Sequence, residues 1–325
     1  MRADHAPQAT IVVTTRNRCD ELARLLPTLV AQTADVEILV VDDGSTDGTP
    51  VLVRTRFPEV RLERSDRPMG LIVQRTRAAR LARAPLIVSV DDDAVLPSPR
   101  TVEQTLADFD HPRIGAVAIP FVDVRPGGEV PLQRAPTAPG RWLSSSYIGT
   151  AHAVRRDIFL QVGGYRTSLV HQVEEPDFCL RMLAAGYVTR IGRADPLRHL
   201  QSPKRDFPRL VTQSTRNNLL HGWHNVPQPY LPVRFAKVTT HSVLLAVRYR
   251  EPRATARGVC LGFRDAWRQR ARRDPVPRSV YRVDHDIRRK GPLRLEQVEH
   301  RLPPARHSGD SRAVNPLDAA SAAPP

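Results

Sequence analysis

Between residues 10 and 125, short apolar runs alternate with longer stretches in which apolar positions recur every three or four residues. The runs at 10–14, 36–41, 60–63, 86–90 and 114–119 read as strands. The stretches at about 19–31, 46–56, 70–83 and 99–108 read as helices, the first with Leu22, Leu25, Leu26 and Leu29 on one face. Such alternation predicts βαβ units and a mainly parallel central sheet covered on both faces. In open α/β sheets, ligands bind beyond the carboxyl ends of the strands, so chemistry is expected there.

The pattern then changes. Residues 126–150 are rich in Pro, Gly and Ser and read as a loop excursion. Helical spacing returns at 155–162 and 176–185, followed by a strand at 187–191. From about residue 206 onward the spacing is helical, at 209–220, 232–247 and 253–273. Beyond about residue 302 apolar periodicity stops, which predicts a disordered tail.

Composition narrows the class. With 325 residues and 41 % apolar content, the chain can bury a core, which excludes wholesale disorder. Its formal charge of +15 calls for a polyanionic partner: nucleic acid, an anionic membrane or a phosphorylated substrate. Cys19, Cys179 and Cys260 are too few and too far apart for a disulfide framework or a metal knuckle, which fits a reducing, intracellular setting. The longest apolar stretch, residues 114–122, falls well short of the roughly 20 needed to span a bilayer. The first ten residues lack an apolar signal core. A soluble, cytoplasmic protein is expected, attached to a membrane at most peripherally.

Acidic clusters follow two of the strands directly. Asp42 and Asp43 open the run Asp-Asp-Gly-Ser-Thr-Asp-Gly, whose residue types also suit an ordinary turn with a helix cap. Asp91, Asp92 and Asp93 are harder to assign to a turn, because three adjacent carboxylates repel one another and a helix needs one cap. Hard cations such as Mg2+ or Mn2+ prefer oxygen ligands and commonly bridge carboxylates to phosphates, which points to a metal-diphosphate site. A third cluster, Glu174-Glu175-Pro176-Asp177, fits either a helix entry or a general base held by the helix behind it.

The stretch Ile-Val-Val-Thr-Thr-Arg-Asn-Arg at 11–18, the run VVDDGSTDGT, the Asp91–Asp93 triplet and the Glu-Glu-Pro-Asp-Phe-Cys-Leu-Arg block occur in order across residues 10 to about 220. Together they resemble the family-2 inverting glycosyltransferases of the GT-A fold. The resemblance implies an α/β nucleotide-sugar-binding fold followed by a mostly helical basic extension. It divides the chain into an N-terminal arm (1–9), a catalytic domain (10–225, with a nucleotide-sugar half at 10–125 and an acceptor half at 126–225), the extension (226–301) and the tail (302–325).

It also implies residue roles. Thr15 and Asn17 would lie at the nucleotide end of the first strand, although Thr14 and Arg16 replace the family's proline and tyrosine. Asp43, preceded by Asp42, would contact the base, and Gly70 and Arg75 would lie ahead of the acidic triplet, the arginine touching base or diphosphate. Asp91 would face the ribose and Asp93 a divalent cation, Mg2+ or Mn2+, with Asp92 between them. Glu175 would be the catalytic base, with Glu174 as its substitute. His199 would approach the metal, and Arg216 and Asn217 match a family pair without an assigned role. Gly163, Gly164 and Tyr165 resemble an acceptor-side loop. Trp142 and Tyr147 could stack on a sugar or pack in the core.

The expected function is therefore metal-dependent, inverting transfer of a sugar from a nucleotide-sugar donor to an acceptor hydroxyl, in polysaccharide, glycolipid or other glycoconjugate synthesis. The acceptor would be a sugar or a lipid-linked glycan. Two alternatives stand beside it. A nucleotidyltransferase on a similar fold also needs carboxylates and metal, but does not call for the block at 174–177. A basic nucleic-acid-binding protein would lack every familiar recognition motif and leave Asp91–Asp93 unexplained, so no nucleic acid is expected as partner. Between Arg248 and Arg294, 15 basic residues face 5 acidic ones, so ten of the net positive charges lie in the extension. Phe263 and Trp267 stand among those arginines, which suggests contact with an anionic membrane.

Overall fold

The computed structural model describes residues 6–125, 127–200 and 207–306, the side chain of Tyr249 excepted. The tail expected to be disordered lies mostly outside these residues. Described strands are β1 (Ala9–Thr15), β2 (Val36–Asp42), β3 (Arg61–Arg64), β4 (Leu86–Val90), β5 (Ala94–Val95), β6 (Ile114–Ala118), β7 (Phe121–Arg125), β8 (Gly128–Leu132), β9 (Trp142–Ser144), β10 (Ala151–Arg155), β11 (Val188–Ile191), β12 (Leu197–His199) and β13 (Leu293–Arg294). The α-helices are α1 (Cys19–Val30), α2 (Thr49–Arg56), α3 (Leu71–Leu81), α4 (Thr101–Ala107), α5 (Arg156–Gln161), α6 (Glu174–Ala184), α7 (Phe207–Asn225), α8 (Tyr230–Tyr249), α9 (Pro252–Arg268), α10 (Arg278–Lys290) and α11 (Leu295–Val298).

Nine strands form one sheet in the order β13-β9-β11-β6-β10-β4-β1-β2-β3. Only β10 and β9 run against the rest, so the sheet is mainly parallel. Its strands alternate between two cores, as period-two geometry requires: Ile11, Val13 and Val40 face one, Val12, Leu39 and Val41 the other. The apolar face of α1 (Leu22, Leu25, Leu26, Leu29) covers the first core. A smaller sheet, β5-β12-β7-β8, stands beside the main one.

The segment 126–150 is not wholly loop. It contains β8, which hairpins onto β7, and β9, which joins the main sheet. Their composition hid them, because a strand of three residues needs only partners, not a periodic run. The C-terminal region is woven into the fold rather than appended. Leu293 of β13 pairs with Leu143 of β9, while Val280, Val283 and Ile287 of α10 enter the first core. Helix α9 lies very close to α7, because Gly258 and Gly262 face Thr212, Thr215, Arg216 and Leu219. A Cβ at Gly258 would come within 2.7 Å of the Thr212 carbonyl oxygen, and one at Gly262 within 2.6 Å of Leu219 Cδ1.

Candidate active site

The carboxyl ends of β1, β2 and β4 bring most of the sequence-predicted residues to one edge. Thr15 ends β1 and is buried. Asn17, at φ 53°, accepts the Thr46 backbone N–H at 2.8 Å while its own N–H donates to Ser45 Oγ at 2.9 Å, so it staples the loop after β2. Asp42 is fully buried and accepts the Ser45 N–H at 2.9 Å, shaping that turn. Asp43 accepts from the backbone N–H groups of Met69 (2.6 Å) and Gly70 (3.0 Å) and from the Gln74 side chain (2.6 Å). Gly70 sits at φ 93°, a conformation that a side chain would strain, and lets the chain turn from Asp43 into α3. Asp43 thus ties the end of β2 to the loop before α3 and to α3 itself.

Beyond β4 lies a cluster with the chemistry of a cation site. Ligand atoms of Asp91, Asp93 and His199 all fall within 4.8 Å of one another. His199 Nε2 stands 3.2 Å from Asp93 Oδ1, and its Nδ1 is 2.8 Å from Asp123 Oδ1 on β7. A ligating imidazole fixed through its other nitrogen by a carboxylate is the usual support of a metal ligand. Two carboxylates and an imidazole suit Mn2+ or Mg2+ with room for phosphate oxygens, so the residues present fit a divalent cation. A fixed positive charge also stands here: Arg18 Nη1 lies 3.3 Å from Asp92 Oδ1 and 3.0 Å from Asp93 Oδ2.

The electrostatics of the triplet are split. Burial favours the neutral form of Asp93, but His199 and Arg18 overcome it and hold the carboxyl down to about 2. Asp92 is pushed up to about 7, by burial first and then by the charges of Asp93 and Asp91, with Arg18 opposing. Sequence reasoning missed Arg18 and Asp123. Asp123 is unreadable locally, because it meets His199 only through the parallel pairing of β7 with β12.

Arg75 joins this edge to the third acidic cluster. It is buried on α3, donates to Asp91 Oδ1 at 2.7 Å and to the Gly149 carbonyl at 3.1 Å, and its other terminal nitrogen lies 3.8 Å from Glu174 and 3.7 Å from Glu175. Glu175 fits between Arg75 and Gly149 only because residue 149 has no side chain: a Cβ there would meet Glu175 Oε1 at 2.3 Å. The Glu175 carboxyl is raised well above its ordinary range, by burial and by Glu174, with Arg75 opposing. Glu174 is almost wholly buried, at 2 % side-chain exposure, and among the described residues its Oε2 finds no hydrogen-bond partner; Glu175 is 15 % exposed.

Asp177 does different work. Fully buried, it pairs with Arg166 (3.1 Å) and Arg181 (2.8 Å) and accepts from Asn225 at 2.6 Å, which anchors α6 to α7 and holds its carboxyl far below the usual range. The loop ahead of α6 is strained: Val170, Gln172 and Val173 all have φ between 62° and 70°, uncommon for any non-glycine residue and rarest for the two β-branched valines. Helix α7 clamps it. The Asn217 amide donates to the carbonyls of Leu169, His171 and Gln172 at 2.6–2.9 Å, and Arg216 bonds the Ser168 carbonyl while pairing with Asp265 of α9. Tyr147 and Tyr165 are buried beneath the cluster, hydroxyl to hydroxyl at 2.8 Å, and Tyr147 stacks on His152 at 4.1 Å, so Tyr147 belongs to the core. Trp142 is covered by Arg294 at 5.0 Å and donates to the Ala138 carbonyl.

Residues 10–170 match the profile of the family described as glycosyl transferase family 2. This domain belongs to that family. A validoxylamine A glucosyltransferase of Streptomyces hygroscopicus subsp. jinggangensis is 36 % identical over 121 residues, which cover 35 % of this chain and 28 % of that protein. The chain thus aligns with well under half the length of that relative. The family-2 domain and the segments after it also superpose on solved structures. A mannosyltransferase of Pyrobaculum calidifontis, PcManGT, in complex with GDP-Man and Mn2+, gives a TM-score of 0.55 at 22 % identity, covering 82 % of this chain and 79 % of that one. The TarS protein of S. aureus gives 0.55 at 16 % identity, covering 71 % and 42 %. Both likenesses establish the GT-A fold.

Proposed function

We propose that this chain transfers a sugar, with inversion, from a nucleotide-sugar donor to an acceptor hydroxyl, assisted by Mn2+ or Mg2+. One observation carries the reading: a single buried guanidinium, Arg75, touches the cation cluster at Asp91 and the carboxylates Glu174 and Glu175. A donor diphosphate at the first and an acceptor hydroxyl at the second would lie within one side chain's reach of each other. Family membership and a neighbour solved with GDP-Man and Mn2+ support it.

Glu175 serves as the base, because its carboxylate is partly exposed while that of Glu174 is almost wholly buried. Its raised affinity for protons makes it a stronger base for the acceptor's proton once it is ionised. Glu174 keeps that affinity high by its charge. Asp91, Asp93 and His199 would hold the cation, which when bound neutralises charge developing on the departing diphosphate. Thr15, Asn17, Asp42, Asp43 and Gly70 shape the loops in which the nucleoside is seated. We divide the domain accordingly, with residues 10–125 on the donor side and 126–225 on the acceptor side, His199 reaching across from the second part to the cation cluster. The acceptor is a sugar or lipid-linked glycan, reached from the cytoplasm.

The test is to incubate the protein with a panel of nucleotide sugars, Mn2+ and candidate acceptors, following nucleoside diphosphate release and the anomeric configuration of the product by NMR. Release of nucleoside diphosphate with inverted configuration is expected. Pyrophosphate as the product, or a retained configuration, would overturn the reading.

A further inference from the structure

The outer layer of the helical region carries an uncovered apolar stripe. On α8, Val233, Val243, Leu244 and Val247 are exposed, Val247 to 76 %, and they lie opposite the buried Leu231, Val238, Ser242 and Ala246. On α9, Phe263 and Trp267 stand one turn apart, Trp267 at 68 % exposure. Phe235 of α8 meets Phe263 edge-on at 5.4 Å, so the two helices form one hairpin. Single exposed apolar residues are ordinary; Val243, Leu244 and Val247 share one face of α8 within about a turn, and Phe263 and Trp267 add exposed apolar surface on the neighbouring helix, which is the kind of surface that contacts something.

Charge identifies the occupant. Helix α8 has no acidic residue, and the one on α9, Asp265, is buried in ion pairs with Arg216 and Arg264. Arg253, Arg257 and Arg268 are exposed on α9 and Lys237 on α8. A second copy would bring like charge against like. Duplex nucleic acid would match the charge but leave Leu244 and Val247 in water. Aliphatic residues flanked by guanidiniums, with a tryptophan at the margin, match an anionic bilayer surface. None of the described helices is long and apolar enough to cross a membrane, so the hairpin would lie on the surface.

We infer that the α8–α9 hairpin docks on anionic lipid, with Leu244, Val247 and Trp267 entering the interface. The inference concerns where the protein sits and stands independently of the sugar-transfer reading. Because α9 packs on α7, and α7 clamps the loop before Glu174, docking would also fix the orientation of the site relative to the bilayer.

The full chain should co-sediment with phosphatidylglycerol/phosphatidylcholine vesicles but not with pure phosphatidylcholine. Its tryptophan emission should shift to the blue on binding, and Trp267→Phe should remove the shift. Leu244→Glu with Val247→Glu should weaken binding at least about tenfold. Arg253→Gln and Arg257→Gln should each weaken it about fivefold, with an unchanged melting temperature as the folding control. No vesicle binding at low salt, or full binding by the double glutamate variant, would overturn the inference. So would a dimer that Leu244→Glu dissolves, or retention of duplex DNA without vesicle binding.

Discussion

On the strand side of the cleft, Asp42, Asp43 and Asp91–Asp93 leave β-strands whose backbones are bonded to neighbours on both sides. On the helix side, Glu174 and Glu175 follow a loop with three non-glycine residues at positive φ, each costing about 1–3 kcal/mol. The strand side is placed by the sheet, so its residues need few dedicated supports beyond those within the cluster. The helix side is placed by side chains, with Asp177 below, Asn217 and Arg216 behind, and Gly149 making room in front. Carboxylates can be precise by inheritance from a sheet or by clamping from outside, and the second way makes them depend on residues far off in sequence.

That contrast can be broken most severely at Asp177. Asp177→Ala would leave Arg166 and Arg181 unpaired in the interior and should cost about 3–5 kcal/mol in a denaturation curve; a variant as stable as the parent would show that α6 is held by something else. Asn217→Ala touches neither substrate nor cation. It should lower kcat by up to about 10²-fold while leaving the donor KM unchanged, and a loss confined to KM would move Asn217 to the donor side. If Glu175 is the base, as proposed, it is protonated and inactive below its raised pKa. Transfer should therefore climb about tenfold per unit as pH rises toward that pKa, and Glu175→Gln should lack the dependence. A flat profile through neutral pH would remove Glu175 as the base. The smallest effect is at Arg18, whose partly exposed guanidinium competes for Asp92 and Asp93. Arg18→Met should tighten nucleotide-free Mn2+ binding, read by electron paramagnetic resonance, by at most about fivefold, and weaker binding would make Arg18 a support of the site.

The same contrast separates what the chain announces from what it conceals. Asp91–Asp93 stand out because a strand rich in Val and Ile ends on them, so a period-two run and a charge cluster mark one place. Glu174 and Glu175 were readable as a helix entry with a chemical alternative, and the helix does begin at Glu174. The clamps were not readable. Asn217 lies 45 residues from Gln172, and Asp123 lies 76 from His199, so each contact exists only once the topology is set. Strands β9, β12 and β13 span two or three residues, too short for periodicity to show; β8 is mostly exposed and carries a proline, and Leu293 joins the sheet from 150 residues beyond its partner Leu143. The arginines of the extension, with Phe263 and Trp267 among them, announced a charge and a membrane contact on α9; the stripe at Val243, Leu244 and Val247 on α8 emerges only when that helix turns its other face to the protein.

The division of the site is tested most directly by calorimetric titration of a nucleoside diphosphate, with and without Mn2+, into the parent protein, Glu175→Gln and Asp93→Asn, beside a transfer assay on each. Glu175→Gln should bind the nucleotide as the parent does, with the same gain from Mn2+, while transfer falls by about 10²–10⁴. Asp93→Asn should lose the gain from Mn2+. Full transfer by Glu175→Gln, or an undiminished Mn2+ effect in Asp93→Asn, would contradict a site built from a cation half and a base half joined through Arg75.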